Sequence, residues 1–267
     1  MSNVGQYYVS QLLTEAETIH YSNLIDSLYD RWSIRKFNGG HYYTLGLATH
    51  LDGPTHEEDA SEEYIARCRE SNAMLLKYFH PLYDKAVKEI STKLGECELI
   101  SDGPLPGFYI YGEPKSRKEP IELERTETVS AIHRDVQVDR LNYLWNRYSD
   151  VDNTTTMSFT FAIDVPEFGA SIALWDQEDK GLFSNTEYAK WAKSIDYTSY
   201  PDNVYMLENN IKNKIPDIVQ HKPGQIFFQE GAIYHAVGHT QKPMSNDRRI
   251  TLQGFGKKCD GVWRLCF

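Results

Sequence analysis

Cysteine is scarce in this chain of 267 residues: there are four, Cys68, Cys97, Cys259 and Cys266, and none stand in C-x-x-C spacing. That pattern carries no zinc or dithiol signature, and a chain of this length needs no disulfide staples. Long apolar runs are missing as well. None approaches the ~20 residues of a membrane-spanning helix, and the start "MSNVGQYYVSQLL" lacks a charged segment followed by an apolar one, so no secretory leader is expected. Basic clusters are absent beyond "PKSRK" at 114–118, and the net charge is -10. Phosphate backbones need a basic surface, so nucleic acid is a poor partner. The expectation is a soluble cytoplasmic protein acting on a small molecule, with no membrane partner. Aromatics, by contrast, are plentiful: eighteen Tyr, eleven Phe and five Trp.

The pattern along the chain predicts helices first and strands afterwards. Thr14 and Glu17 form a capping box ahead of Ile19, Leu24, Ile25, Leu28 and Trp32, which predicts a helix over 14–32. Residues 42–51, "YYTLGLATHL", look extended. The acidic run at 57–63 opens a long helical pattern ending at Gly95, which Pro81 should kink or split. From about residue 105, short period-two segments follow: "GFYIYG", "VSAIHRDVQ", "TMSFTFAIDV", "SIALWD", "GQIFFQ", "YHAVGHT" and "RRITLQGFG". We read one domain over 1–267, with a helical part at 1–100 packing on a barrel at 101–267. An insertion at about 177–215, with a second capping box at Ser184–Glu187, is either decoration or a lid.

Three His-x-acid triplets could begin a metal site: His50-Leu51-Asp52, His56-Glu57-Glu58 and His133-Arg134-Asp135. A redox iron site of the two-histidine, one-carboxylate type needs a further histidine and keeps three coordination positions open. His235 and His239 lie downstream, and Arg249-Ile250-Thr251 begins fourteen residues after His235. Arg249 and Thr251 share one face of a strand, and an arginine there can hold a carboxylate through paired hydrogen bonds. A decoy repeats the spacing: His50-x-Asp52, His133, then Arg147. Its members run into turns, with "DVDNTTT" after Arg147 reading as polar and turn-like. Only His133, Asp135, His235 and Arg249 all sit in or beside period-two apolar segments.

The order H-x-D, about one hundred residues, His, then Arg-x-Thr resembles the iron(II)/2-oxoglutarate-dependent oxygenases. "LPGFYIY", "AIHRDVQ", "GASIALWD" and "KPGQIFFQEGAIYHAV" fall in the family's order. "YYTLGLATHLDG" is similar to the N-terminal part of a subgroup, the small stand-alone hydroxylases and halogenases of natural-product and free-amino-acid metabolism. The resemblance implies a mainly β fold with flanking helices, a double-stranded β-helix of jelly-roll, cupin-like form. It implies Fe(II) bound by His133, Asp135 and His235, with 2-oxoglutarate and O2 as co-substrates. Arg249, assisted by Thr251, would hold the distal carboxylate. It further implies hydroxylation of an unactivated C–H bond in a small polar metabolite, an amino acid or natural-product intermediate, with 2-oxoglutarate leaving as succinate. Desaturation, cyclisation or epimerisation can follow the same oxidant. Halogenases of the subgroup carry a small residue where this chain has Asp135, so halogenation is not expected.

Other residues have plainer readings beside them. Tyr109 and Tyr111 share a strand face and either reach 2-oxoglutarate or pack; Trp175 lines the site or belongs to the core. His239 shares parity with His235 and is read as a strand-end or supporting residue. Arg248 faces away from Arg249 and is read as a surface charge, and His221 with Lys222 as loop residues before a Pro-Gly turn. Two rivals use the same barrel: a cupin-like metal enzyme without 2-oxoglutarate, and a non-catalytic binding barrel.

Overall fold

The computed structural model describes residues 6–37, 40–54, 60–112, 114–115, 135, 141–166, 171–175, 217–231, 233–237 and 248–267. In chain order they form β1 (Tyr7–Gln11), α1 (Glu15–Ser27), a 3-10 turn (Tyr29–Arg31), β2 (Ser33–Phe37), β3 (Gly40–Leu45), α2 (Thr49–Asp52), α3 (Glu62–Leu94) and β4 (Cys97–Leu99). Then come β5 (Gly107–Tyr111), α4 (Asn142–Trp145), β6 (Val151–Asp164), β7 (Ser171–Trp175), β8 (Asp217–Gln220), β9 (Gln225–Glu230), β10 (Tyr234–Val237), β11 (Arg249–Cys259) and β12 (Val262–Cys266).

The two principal helices start where local chemistry starts them. The Thr14 side chain accepts from the Glu17 backbone and Glu17 answers to the Thr14 backbone, closing the capping box of α1. The helix stops at Ser27, short of the expected 32, and the chain tightens into the 3-10 turn. Ser61 caps α3, and Gly95 ends it at φ 96°, a left-handed value that glycine adopts without strain. Pro81 does not split α3, which is assigned as one helix. Pro81 and Lys77, whose carbonyl loses its partner, both lie on the exposed side, where water can satisfy that carbonyl. Tyr64, Cys68, Asn72, Leu75, Phe79, Leu82, Ala86 and Ile90, spaced three and four apart, form the buried stripe.

The strands form a nine-stranded sheet, ordered β1-β9-β6-β11-β5-β3-β2 with β12 and β4 attached at β11, and a three-stranded sheet, β10-β7-β8. All pairings are antiparallel except β12 with β4. The outer face of the large sheet carries Leu45, Phe108, Ile110, Phe159, Phe161, Phe228, Ile250 and Leu252. These pack in one cluster with Ile25 of α1 and Leu75, Phe79 and Leu82 of α3. Burying a Phe or Leu side chain here contributes about 1.5–3 kcal/mol each. The inner face meets the small sheet through Phe227 against Ile172 and Leu174. The fold is therefore mostly antiparallel β with helices on one side.

Two readings change. "DVDNTTT" is not a turn: Val151 to Thr156 open β6, the longest strand, which runs beside β11. The first hundred residues are not only helical, because they supply β1 to β4. Most of "VSAIHRDVQ" and all of 177–215, with its capping box, lie outside the described residues. No helix among the described residues is long and apolar enough to cross a membrane.

Candidate active site

Register decides which side chains meet between the sheets. On β11, Ile250 and Leu252 point to the helices, so Arg249 and Thr251 point inward. Antiparallel pairing places Tyr111 opposite Arg249 and Tyr109 opposite Thr251. Tyr42 stacks on both tyrosines, with ring centroids 5.6 Å from Tyr109 and 5.2 Å from Tyr111. The three phenols form one wall beside the Arg249–Thr251 edge. Gln253 Nε2 donates to Thr251 Oγ1 at 2.9 Å, which leaves the Thr251 hydroxyl its own proton to give.

A bulge shapes this edge. Thr251 pairs with Ala162 but Ile250 pairs with Asp164, so Ile163 and Asp164 together oppose Ile250. Regular alternation from Ala162 would turn Asp164 inward, towards Arg249. The extra residue turns it outward instead, where its Oδ2 accepts from Arg248 Nε at 2.7 Å and from Ser22 Oγ at 3.1 Å. Arg248 also donates to Asp26 Oδ1 and to the Ser22 hydroxyl. It is thus a buried clamp between β11, β6 and α1, not the surface charge its position suggested.

Arg249 received no such partners. It is 4% exposed, and its Nε and Nη2 have no hydrogen-bond partner among the described residues. Burial draws its pKa below the ordinary value, with Tyr111 opposing, yet a guanidinium keeps its charge. Burial, and then the Tyr42 hydroxyl, hold the Tyr111 phenol above its usual range, against the pull of Arg249.

On β10, His235 lies opposite Leu174, whose side chain packs inward on Phe227, so His235 also faces the interior. It is buried, with Nδ1 2.9 Å from the Ile233 carbonyl oxygen. A carbonyl only accepts, so Nδ1 carries a proton and donates it, and Nε2 is left to face the interior. Asp135 Oδ2 lies 3.4 Å from that Nε2. Asp135 also acts on Tyr109, whose phenol is pushed well up by burial first, then by Tyr42, Tyr111 and Asp135. Asp135 and His235, one hundred residues apart, thus converge beside the tyrosine wall. His133, His239 and the side chain of Trp175 lie outside the described residues. Among the described residues no group of three His, Cys, Asp or Glu is placed to hold a metal.

The decoys have other employment. Asp52 takes a forked pair of hydrogen bonds from Arg35 and one from the Ala48 amide. Arg147 pairs with Asp102 at 2.8 Å. His56-Glu57-Glu58 lies outside the described residues.

Sequence reasoning missed Tyr42, Gln229 and His221. His221 follows β8, where Asp217 and Val219 pair with the inward Leu174 and Ile172, so parity turns His221 inward too. Its ring centroid lies 6.0 Å from that of Phe227. Alternation through "DIVQH" was the available signal, but the segment is too short to read as a strand unaided.

No protein-family model and no curated protein sequence matches this chain. Solved structures do. The epimerase SnoN, in complex with Fe3+, α-ketoglutarate and nogalamycin RO, has a TM-score of 0.50 and 13% identity, over 95% of this chain and 78% of that one. An N-substituted L-amino acid dioxygenase from Burkholderia ambifaria AMMD, in complex with α-ketoglutarate, has a TM-score of 0.48 and 14% identity over 98% and 86%. HygX from Streptomyces hygroscopicus, with nickel, 2-oxoglutarate and hygromycin B bound, has 0.41 and 10% over 95% and 83%. The fold of this chain is thus similar to that of SnoN.

Proposed function

We propose that the chain is an iron(II)/2-oxoglutarate-dependent oxygenase, one domain built as a double-stranded β-helix, that hydroxylates a small polar metabolite such as an amino acid or natural-product intermediate. The observation that carries this reading is Arg249: a buried guanidinium whose Nε and Nη2 have no partner among the described residues, on one strand face with a hydroxyl that can donate, in the same interior as His235 and Asp135. A buried unpaired charge costs several kcal/mol, roughly, so a protein that keeps one provides a place for an anionic ligand. The donor set fits the cofactor. An imidazole whose Nδ1 is engaged by a backbone carbonyl, with a carboxylate 3.4 Å from its Nε2, suits a divalent metal as a joint ligand set.

Within this reading His133 completes the metal set with Asp135 and His235. Iron(II) held there, with 2-oxoglutarate and O2 as co-substrates, would supply an oxidant for C–H bonds, 2-oxoglutarate leaving as succinate and carbon dioxide. The chain's residues orient the reactants. The Ile233 carbonyl fixes the His235 ring, Arg249 and Thr251 grip the distal carboxylate, and the Tyr42–Tyr109–Tyr111 wall excludes water from one side. Asp135 fills the position a halide would need, which favours hydroxylation over halogenation. The likeness to an epimerase keeps stereochemical inversion as the second outcome of the same oxidant.

The test is an anaerobic titration of the protein with iron(II) and then 2-oxoglutarate, following the visible charge-transfer band of the chelate. The expected result is a band in wild type that is lost in His133→Ala and His235→Ala and weakened in Arg249→Ala. Metal binding with no such band would place a cupin-like enzyme ahead. Failure to bind metal at all would withdraw the enzyme assignment.

A further inference from the structure

The interior holds a second buried group with unpartnered polar atoms. His221 is 7% exposed, and neither of its ring nitrogens has a hydrogen-bond partner among the described residues. A histidine of no use would be expected at the surface or hydrogen-bonded, because leaving a buried polar atom unsatisfied costs about 1–3 kcal/mol. Its strand parity turns it inward, and the Phe227 ring lies tilted to its own with centroids 6.0 Å apart. The charge that bears on it is the Arg249 guanidinium; burial first, and that charge second, hold its pKa down to about 3. The imidazole is therefore neutral, with one N–H to donate. A ring in the field of a fixed cation is badly placed to bind a divalent metal and suited to share an anion with that cation.

We infer that His221 is a binding residue for the distal carboxylate of the co-substrate, donating a hydrogen bond to the anion that Arg249 holds. This rests on the oxygenase reading above and adds a residue to it. Arg249 supplies charge, and Thr251 and His221 supply neutral donors from two different sheets. The carboxylate then ties the small sheet to the large one. A charged His221 would compete with Arg249 for the same field, whereas a neutral one donates without repelling it.

The experiment compares wild type with His221→Leu, close in volume and without polar atoms, and His221→Gln, which keeps a donor. Each iron(II)-loaded protein is titrated anaerobically with 2-oxoglutarate, and separately with 2-oxopentanoate, which lacks the distal carboxylate. Thermal midpoints are recorded without ligand. The inference expects 2-oxoglutarate affinity to fall about tenfold in His221→Leu, the worth of one hydrogen bond to a charged group, and to recover most of the way in His221→Gln. It expects 2-oxopentanoate affinity to be unchanged, and the ligand-free midpoint of His221→Leu to equal or exceed that of wild type. Wild-type affinity for 2-oxoglutarate in a folded His221→Leu overturns the inference alone, as does an equal loss for both 2-oxo acids. A wild type that binds no 2-oxoglutarate overturns the oxygenase reading and this inference with it.

Discussion

Arg248 and Arg249 are chain neighbours, both 4% exposed, yet Arg248 is held by two carboxylates while Arg249 Nε and Nη2 have no hydrogen-bond partner among the described residues. Strand alternation sends them to opposite faces of β11, and the bulge at Ile163 sends Asp164 to the Arg248 side. One arginine is structural, and in the proposed reading the other is kept for a ligand.

The first prediction separates the two by stability. Arg248→Ala leaves Asp26 without its arginine and Asp164 with Lys115, at 3.1 Å, as its remaining cation among the described residues, and should lose about 3 kcal/mol in chemical denaturation. Arg248→Lys should recover only part of this, since one ammonium cannot reach Asp26, Asp164 and the Ser22 hydroxyl in fork geometry. Arg249→Met removes an uncompensated charge, and should leave the ligand-free protein as stable as wild type or more stable by roughly 1 kcal/mol. Equal destabilisation by Arg248→Ala and Arg249→Met would contradict the division.

That division was half legible in the sequence. Period two in "RRITLQGFG" put Arg249 and Thr251 on one face, and apolar context favoured Asp135 and His235 over the decoys. The destination of Arg248 was not legible, because it depends on a register shift between β6 and β11 that no local pattern encodes. The exposed first half of β6 read as a turn for a similar reason: "DVDNTTT" is polar, and long-range pairing with β11 makes it a strand. The unsplit α3 reflects tertiary packing of Leu75, Phe79 and Leu82 outweighing one missing hydrogen bond.

The Thr251 hydroxyl gives the second prediction. It accepts from Gln253 Nε2 and so has its proton to offer. Thr251→Val keeps the shape and removes that donor. Affinity for 2-oxoglutarate should fall about tenfold in the anaerobic titration, with a rise in KM for 2-oxoglutarate larger than any fall in kcat. An unchanged KM would remove Thr251 from the carboxylate site.

Gln229 gives the third. It is fully buried on the inner face, and neither amide atom has a hydrogen-bond partner among the described residues. Gln229→Met is close in shape and deletes both unsatisfied groups. The ligand-free protein should gain about 1 kcal/mol, visible as a higher midpoint in urea. A loss of stability would mean that the amide is satisfied in solution, by ordered water between the sheets.

The last prediction concerns pH and follows from His221. Its ordinary pKa of 6.5 is lowered to about 3 in the fold, by burial first and by the Arg249 charge second. Between those values the unfolded chain binds a proton that the folded chain refuses, so stability falls as pH drops through this window and is unaffected above it. The loss attributable to His221 is roughly 4 kcal/mol at most by pH 3. Carboxylates titrate over the same range, so the test is a difference. Urea midpoints of wild type and His221→Leu should run parallel above pH 7 and diverge below pH 6, with wild type falling faster. Saturating 2-oxoglutarate with iron(II) should reduce the divergence. An anion against Arg249 cancels part of the field that keeps the imidazole neutral, which moves its pKa back towards the ordinary value. Parallel curves down to pH 4 would show that His221 takes up its proton in the folded state, and that burial beside Arg249 does not hold it neutral.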